Sequence, residues 1–194
     1  MADLDQIKKL REITGVSLAQ CGKALEQSKG DLEASQEILR KWGEDLAGKV
    51  AGRNAGQGII DAYIHSNKKI GVLLELRCET DFVARNEDFK NLAHDLAMQV
   101  AAFNPLYVKE DEIPQEILEK EREIYREQFA ASGKPKEILD KMIEGKLGKF
   151  KEGICLLKQP FAKDQNKKVE DIIKETIAKL GENIFVKRFV KLDL

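Results

Sequence analysis

The period of the apolar positions changes several times along this chain, and each change marks an element. Leu4, Ile7 and Leu10 recur at helical spacing after Asp3, a plausible cap, and Thr14-Gly15 closes the run. Ser17 opens a second helix with Gln20 three residues on, a pattern in which each side chain can satisfy the other's backbone N–H. Gly30 stops that helix. Asp31 then caps a third, with Leu32, Ser35, Ile38, Leu39 and Trp42 on its inner face and Gly43 as its expected end. Three helices in so short a segment bury little area, so a compact bundle of the ubiquitin-associated type is expected over residues 1–45.

Residues 46–57 are rich in Gly and Ala and read as a linker or small-residue helix. Gly52 to Gly58 lacks the Gly-Lys-Ser/Thr ending of a phosphate loop and follows no strand. From residue 58 the period drops to two. Ile59 to His65, a turn at Ser66 to Lys69, and Ile70 to Cys78 predict a β-hairpin, with Val72, Leu74, Leu76 and Cys78 on one face of its second strand. Helical spacing returns with Phe89, Leu92, Leu96, Val100 and Phe103, stopped by Asn104-Pro105. It recurs in two helices opened by Pro114 and Pro135, the first ended by Ser132-Gly133. So short a connection predicts an antiparallel helical hairpin over about 114–149. A helix over Val169 to Leu180 and a strand over Ile184 to Leu192 complete an α+β core of antiparallel strands packed by helices, spanning 58–194.

Charge changes this picture little. With 33 basic and 34 acidic residues, the chain offers no global field to recruit nucleic acid or an anionic membrane. It has no apolar run of the length that crosses a bilayer, and Met1 to Asp5 is acidic where a signal peptide is basic, so a cytoplasmic location is expected. Cys21, Cys78 and Cys155 are too few and too scattered for a disulfide framework or zinc site and read as small core residues. His65 and His94 fall in no metal-ligand spacing. No nucleophile motif is present, so neither enzyme chemistry nor a metal or cofactor is expected.

One stretch stands apart. Cys78-Glu79-Thr80-Asp81-Phe82-Val83-Ala84-Arg85 places a carboxylate beside a large apolar ring just past a strand end. On residue types alone, Phe82 reads as a core plug folded back on its own strand. The string also resembles the Thr-Asp-Phe-Val signature of the elongation factor Ts family, the nucleotide-exchange partners of the GTPase elongation factor Tu. Leu10 to Val16 with Cys21 to Leu25 and Gly30-Asp31 resembles that family's N-terminal signature. Ser132 to Glu137, Gln159-Pro160-Phe161, Glu182-Asn183-Ile184 and Arg188-Phe189 resemble its later parts, in the same order along the chain. In length the chain resembles the short bacterial form, which carries one core unit where longer members carry two.

The resemblance implies a guanine-nucleotide exchange factor of translation that binds elongation factor Tu and speeds GDP release and GTP reloading. It assigns contacts to Thr80, Asp81, Phe82 and Val83, with the ring wedging beside the GTPase's switch region and disturbing its Mg²⁺ and phosphate grip. It assigns a second contact to Arg11, Leu18 and Ala19. The chain departs from the family pattern at Leu18-Ala19, where many members have methionine, at Gly22, where lysine is usual, and at Arg77, where asparagine is usual. A chain with one core unit is expected to work as a homodimer, the closing strand and the Phe161 segment providing the surface. Two other classes compete: an adaptor whose three-helix domain is the active module, and a thiol enzyme using Cys78.

Overall fold

The computed structural model describes residues 3–130 and 135–194; Met1-Ala2 and the helix end expected at Ser132-Gly133 lie outside the described residues. In chain order come α1 (Leu4–Thr14), α2 (Leu18–Gln27), α3 (Leu32–Val50), β1 (Gln57–Ile64), β2 (Ile70–Cys78), α4 (Asp81–Ala84) and α5 (Glu87–Phe103). They are followed by α6 (Gln115–Ala130), α7 (Lys136–Ile154), β3 (Pro160–Phe161), β4 (Asp164–Lys168), α8 (Val169–Leu180) and β5 (Phe185–Asp193). This is the α+β class expected from the pattern, with short 3₁₀ turns at Glu110–Glu112 and Leu156–Lys158.

The first three helices start and stop where their capping chemistry lies. Asp3 Oδ1 accepts from Asp5 N at 3.3 Å, and Gly15, in the left-handed region at φ 68°, donates its N–H to Arg11 O at 2.7 Å. Half of the expected capping box forms. Ser17 Oγ accepts from Gln20 N at 3.4 Å, but the Gln20 side chain takes the Ser17 hydroxyl at 3.3 Å. Asp31 Oδ1 accepts from Ala34 N at 3.1 Å. Leu10, Val16, Cys21, Ala24, Leu25 and Leu39 form the buried cluster between these helices, with the partly buried Trp42 against it.

Gly43 does not end α3. The helix runs on to Val50, and Gly43 lies buried within it. A Cβ at that position would stand 2.9 Å from Ala178 Cβ on α8, so the missing side chain serves close packing and not termination.

β1, β2 and β5 form a three-stranded sheet in that order. His65 donates to Ile70 O at 2.9 Å across the β1–β2 turn, and Leu194 N donates to Lys69 O at 3.1 Å, so β2 runs antiparallel to both neighbours. Val72, Leu74, Leu76 and Cys78 are buried as the alternation predicts, each aliphatic one contributing roughly 1.5–3 kcal/mol. Glu75 breaks the pattern. It is 8% exposed and paired with Arg77, whose Nη1 also donates to Gly56 O at 3.1 Å. Arg77 thus holds a buried carboxylate and the entry to β1. Gly58 faces the same strand, where a Cβ would collide with the Leu76 carbonyl.

The chain forms two compact units. One comprises Met1–Asp61, Glu75–His94 and Asp171–Lys187; the other comprises Ala62–Leu74, Asp95–Glu170 and Arg188–Leu194. In the second, α6 and α7 form the expected hairpin, with Arg122 Nη2 2.9 Å from Glu144 Oε1 and Ile143 and Leu147 buried. Its interior also holds two amides. Gln99 Nε2 donates to Gln159 Oε1 and Pro160 O, and its Oε1 accepts from Ala162 N at 2.7 Å. Gln159 Nε2 donates to Gly153 O at 2.8 Å. Every group of this pair has a partner, which is what makes burying it tolerable.

Phe161 is 5% exposed and Val186 3%, so neither is available to a second subunit as the sequence suggested. Val190 at 56% and Leu192 at 72% are available.

Candidate functional site

β2 hands over to the candidate tip at Cys78. Thr80 is extended (φ −122°, ψ 156°) and its Oγ1 accepts from Val83 N at 3.3 Å, which starts the single turn α4. Within that turn Ala84 points inward at 8% exposure and Val83 is half-buried, while Phe82 stands 80% exposed. Phe82 is therefore no core plug. Asp81, also partly exposed, faces Arg85 with Oδ2 and Nη2 3.0 Å apart, a surface pair worth less than about 1 kcal/mol.

What fixes this turn lies about a hundred residues downstream. Glu182 Oε2 accepts from the N–H groups of both Glu79 and Thr80 at 3.0 Å, and Oε1 accepts from the Thr80 hydroxyl at 2.6 Å. Those two amides lie beyond the end of β2, and the carboxylate satisfies them instead of a neighbouring strand. The exchange is reciprocal. Glu79 Oε1 accepts from Asn183 N at 2.7 Å and lies 3.6 Å from Arg53 Nη1. Asn183, 5% exposed, donates through Nδ2 to Ala51 O at 3.3 Å and Arg53 O at 2.9 Å. Gly181, at φ 77°, donates to Ile177 O at 2.8 Å and turns the chain out of α8 to deliver both residues.

The second candidate group lies on the helices. Arg11 is exposed in the last turn of α1; Leu18, 43% exposed, and Ala19 open α2. Their exposure follows from helical spacing. The positions that feed the cluster in this region are Leu10, Val16, Cys21, Ala24 and Leu25, leaving these three outside it. All seven candidates, Arg11, Leu18, Ala19, Thr80, Asp81, Phe82 and Val83, belong to the same compact unit. Glu182-Asn183 carries no functional signal of its own in the sequence, because nothing local reveals which distant amides a carboxylate will meet.

Reactive groups are absorbed into structure. Cys78 is fully buried, donates to Thr80 O at 3.2 Å, and has its pKa pushed up to about 11 by burial, with the Glu182 carboxylate adding to the effect. At neutral pH it is a thiol and a poor nucleophile. His65 Nδ1 lies 3.0 Å from Tyr63 Oη, and His94 Nδ1 lies 3.0 Å from Asp61 Oδ2. Among the described residues no three His, Cys, Asp or Glu side chains converge as metal ligands.

The exposed ring of Phe82 and the exposed helical residues Arg11 and Leu18 are the candidate features that the structure leaves on the surface, and comparison with known proteins gives the family. The profile of the family described as Elongation factor TS matches residues 6–176, and the chain belongs to that family of translation elongation factors. It is 57% identical over 188 residues to elongation factor Ts of Thermosipho melanesiensis, covering 97% of this chain and 96% of that protein. It is 54% identical over 191 residues to the Thermotoga maritima protein of that name, at 98% and 95% coverage. With the Carboxydothermus hydrogenoformans protein it shares 50% over 194 residues, at 100% and 89%. These relationships cover the strand, tip and helices that carry the candidate residues.

Proposed function

We propose that this chain binds the GTPase elongation factor Tu and promotes GDP release and GTP reloading during translation. The observation that carries the reading is Phe82, 80% exposed on a turn whose capping hydroxyl and the amides of Glu79, Thr80 and Val83 are hydrogen-bonded. An aromatic held out of the core at the end of a rigid strand is an anchor with little conformational entropy left to lose on docking.

The work needs no reactive group in this chain. A GTPase holds its nucleotide through backbone N–H groups around the phosphates and a Mg²⁺ ion that offsets their charge. A ring inserted beside that site favours a conformation in which the grip is broken. By linkage, the factor weakens nucleotide binding as much as nucleotide weakens the factor's binding, so GDP leaves and incoming GTP expels the factor. Asp81 and Val83 flank the ring in this contact, Thr80 holds it, and Arg11, Leu18 and Ala19 provide a second patch on the same partner.

In this reading residues 1–45 are a ubiquitin-associated-like docking module, 46–57 join it to the rest, and 58–194 form the core and dimerisation domain. The working unit is a cytoplasmic homodimer. Its surface is the sheet face of the second unit, where strand alternation aligns Ile64, Leu73, Val190 and Leu192, all more than half exposed.

Stopped-flow release of a fluorescent GDP analogue from elongation factor Tu tests the proposal. Acceleration that saturates with the chain's concentration is expected. An unchanged release rate while the chain still binds would leave an adaptor, not an exchange factor.

A further inference from the structure

We propose that Glu182 is a positioning residue for exchange, holding the Phe82 ring in its working direction through Thr80; this rests on the reading of the tip as the contact to the GTPase. α4 spans four residues, Asp81–Ala84. One helical turn fixes several dihedrals in return for one hydrogen bond and does not persist unaided. Nor does Phe82 gain a direction from packing, since the ring is 80% exposed.

The direction must come from the cap, and the cap depends on Glu182. Thr80 Oγ1 donates to Glu182 Oε1 at 2.6 Å while accepting from Val83 N at 3.3 Å, so the carboxylate sets the threonine rotamer that starts the turn. The bonds from Glu79 N and Thr80 N to Oε2 fix the backbone on the near side of the cap. Charge-assisted bonds of this kind are about twice as strong as neutral ones.

The carboxylate itself is well held. Asn183 N donates to Glu79 Oε1, and Asn183 Nδ2 reaches Ala51 O and Arg53 O, tying the same turn to the end of α3. Without Glu182 the tip samples other directions, and only a fraction of docked molecules present the ring correctly. The maximal rate scales with that fraction. The concentration giving half the maximal rate is held by the helical patch of Arg11, Leu18 and Ala19.

The test uses the full chain in the stopped-flow assay, reading maximal stimulated rate and half-saturating concentration separately. Glu182→Ala is expected to lower the maximal rate about tenfold, the loss of roughly one charged hydrogen bond. The half-saturating concentration should stay within about twofold. Combined with Phe82→Ala it should add nothing, since a holder has no effect once the ring is gone. Glu182→Gln, whose carbonyl can still accept from both amides while its NH₂ donates to Thr80 Oγ1, should recover most of the rate.

An unchanged maximal rate, or a loss that multiplies with that of Phe82→Ala, overturns the assignment. So does a shifted half-saturating concentration at constant maximum, the mark of lost folded protein. If Glu182→Ala does not fold, Glu182→Asp takes its place: it keeps the charge but falls one methylene short, and it must lower the maximal rate. If the parent chain fails to accelerate release, the functional reading falls instead. The holding role is then judged by hydrogen exchange at the amides of Glu79, Thr80 and Val83, which must speed up in Glu182→Ala.

Discussion

Phe82→Ala separates the two roles that an aromatic at a strand end can have. In the free protein the ring is 80% exposed, so about a fifth of its roughly 150–250 Å² is covered. At about 25 cal/mol per Å², deletion costs about 1 kcal/mol of stability, or about 2–4 °C in a chain of this size. A core plug behaves otherwise: losing a buried Phe costs about 3–5 kcal/mol. On docking the remaining four-fifths, about 120–200 Å², leaves water and contributes about 3–5 kcal/mol before ordering losses. At about 1.4 kcal/mol per tenfold, the expected loss of stimulated GDP release is about 10- to 100-fold once those losses are counted. Asp81→Ala should act in the same direction but less, because its charge is shared with Arg85. Thermal unfolding followed by circular dichroism and stopped-flow release on one preparation give both numbers. A melting point lowered by more than about 8 °C, beyond what 1 kcal/mol produces, refutes the exposed-ring argument. Release at the parent rate refutes the contact.

Other outcomes follow from the same geometry. Arg11→Ala and Leu18→Ala should raise the half-saturating concentration severalfold and leave the maximal rate intact, as titrations of release rate against factor concentration would register. Gly22→Ala should raise stability by up to about 1 kcal/mol, because the added methyl meets Ile7 Cδ1 at an ordinary 3.5 Å. Gly43→Ala should lower it by about 1–3 kcal/mol, because its methyl meets Ala178 Cβ at 2.9 Å; urea titration of the two variants gives both signs. Light scattering at micromolar concentration should find twice the 21.9 kDa chain mass, and a charge at Leu73 or Val190 should halve it. A monomer with full exchange activity would rule out the dimer.

Local chemistry was legible to the residue. The caps at Asp3, Ser17 and Asp31, the helix stops at Gly15 and Gly30, and the α8 span of Val169–Leu180 are all decided within a few residues of chain. What stayed hidden depends on partners far away in sequence. Gly43 reads as a helix stop because its reason, Ala178, is not local. Glu75 reads as a solvent-facing strand position, but Arg77 makes its burial tolerable. Phe82 reads as a plug because hydrophobicity by itself says inside; its exposure depends on a turn fixed from Glu182.

The sequence separation of 102 between Thr80 and Glu182 also sets an order in time. The ribosome makes the helices with Arg11 and Leu18 first and the tip sequence next. At about 5–20 residues per second, the carboxylate proposed to orient the ring arrives about 5–20 s after the tip. Until then a nascent chain offers the helical patch with its tip unset. Under the proposed function, a product cut short before residue 182 would keep that state permanently, occupying the partner through its helices but discharging it poorly. Such a fragment would compete with the intact factor, so under this reading a residue made about a hundred positions after the ring decides whether the ring works.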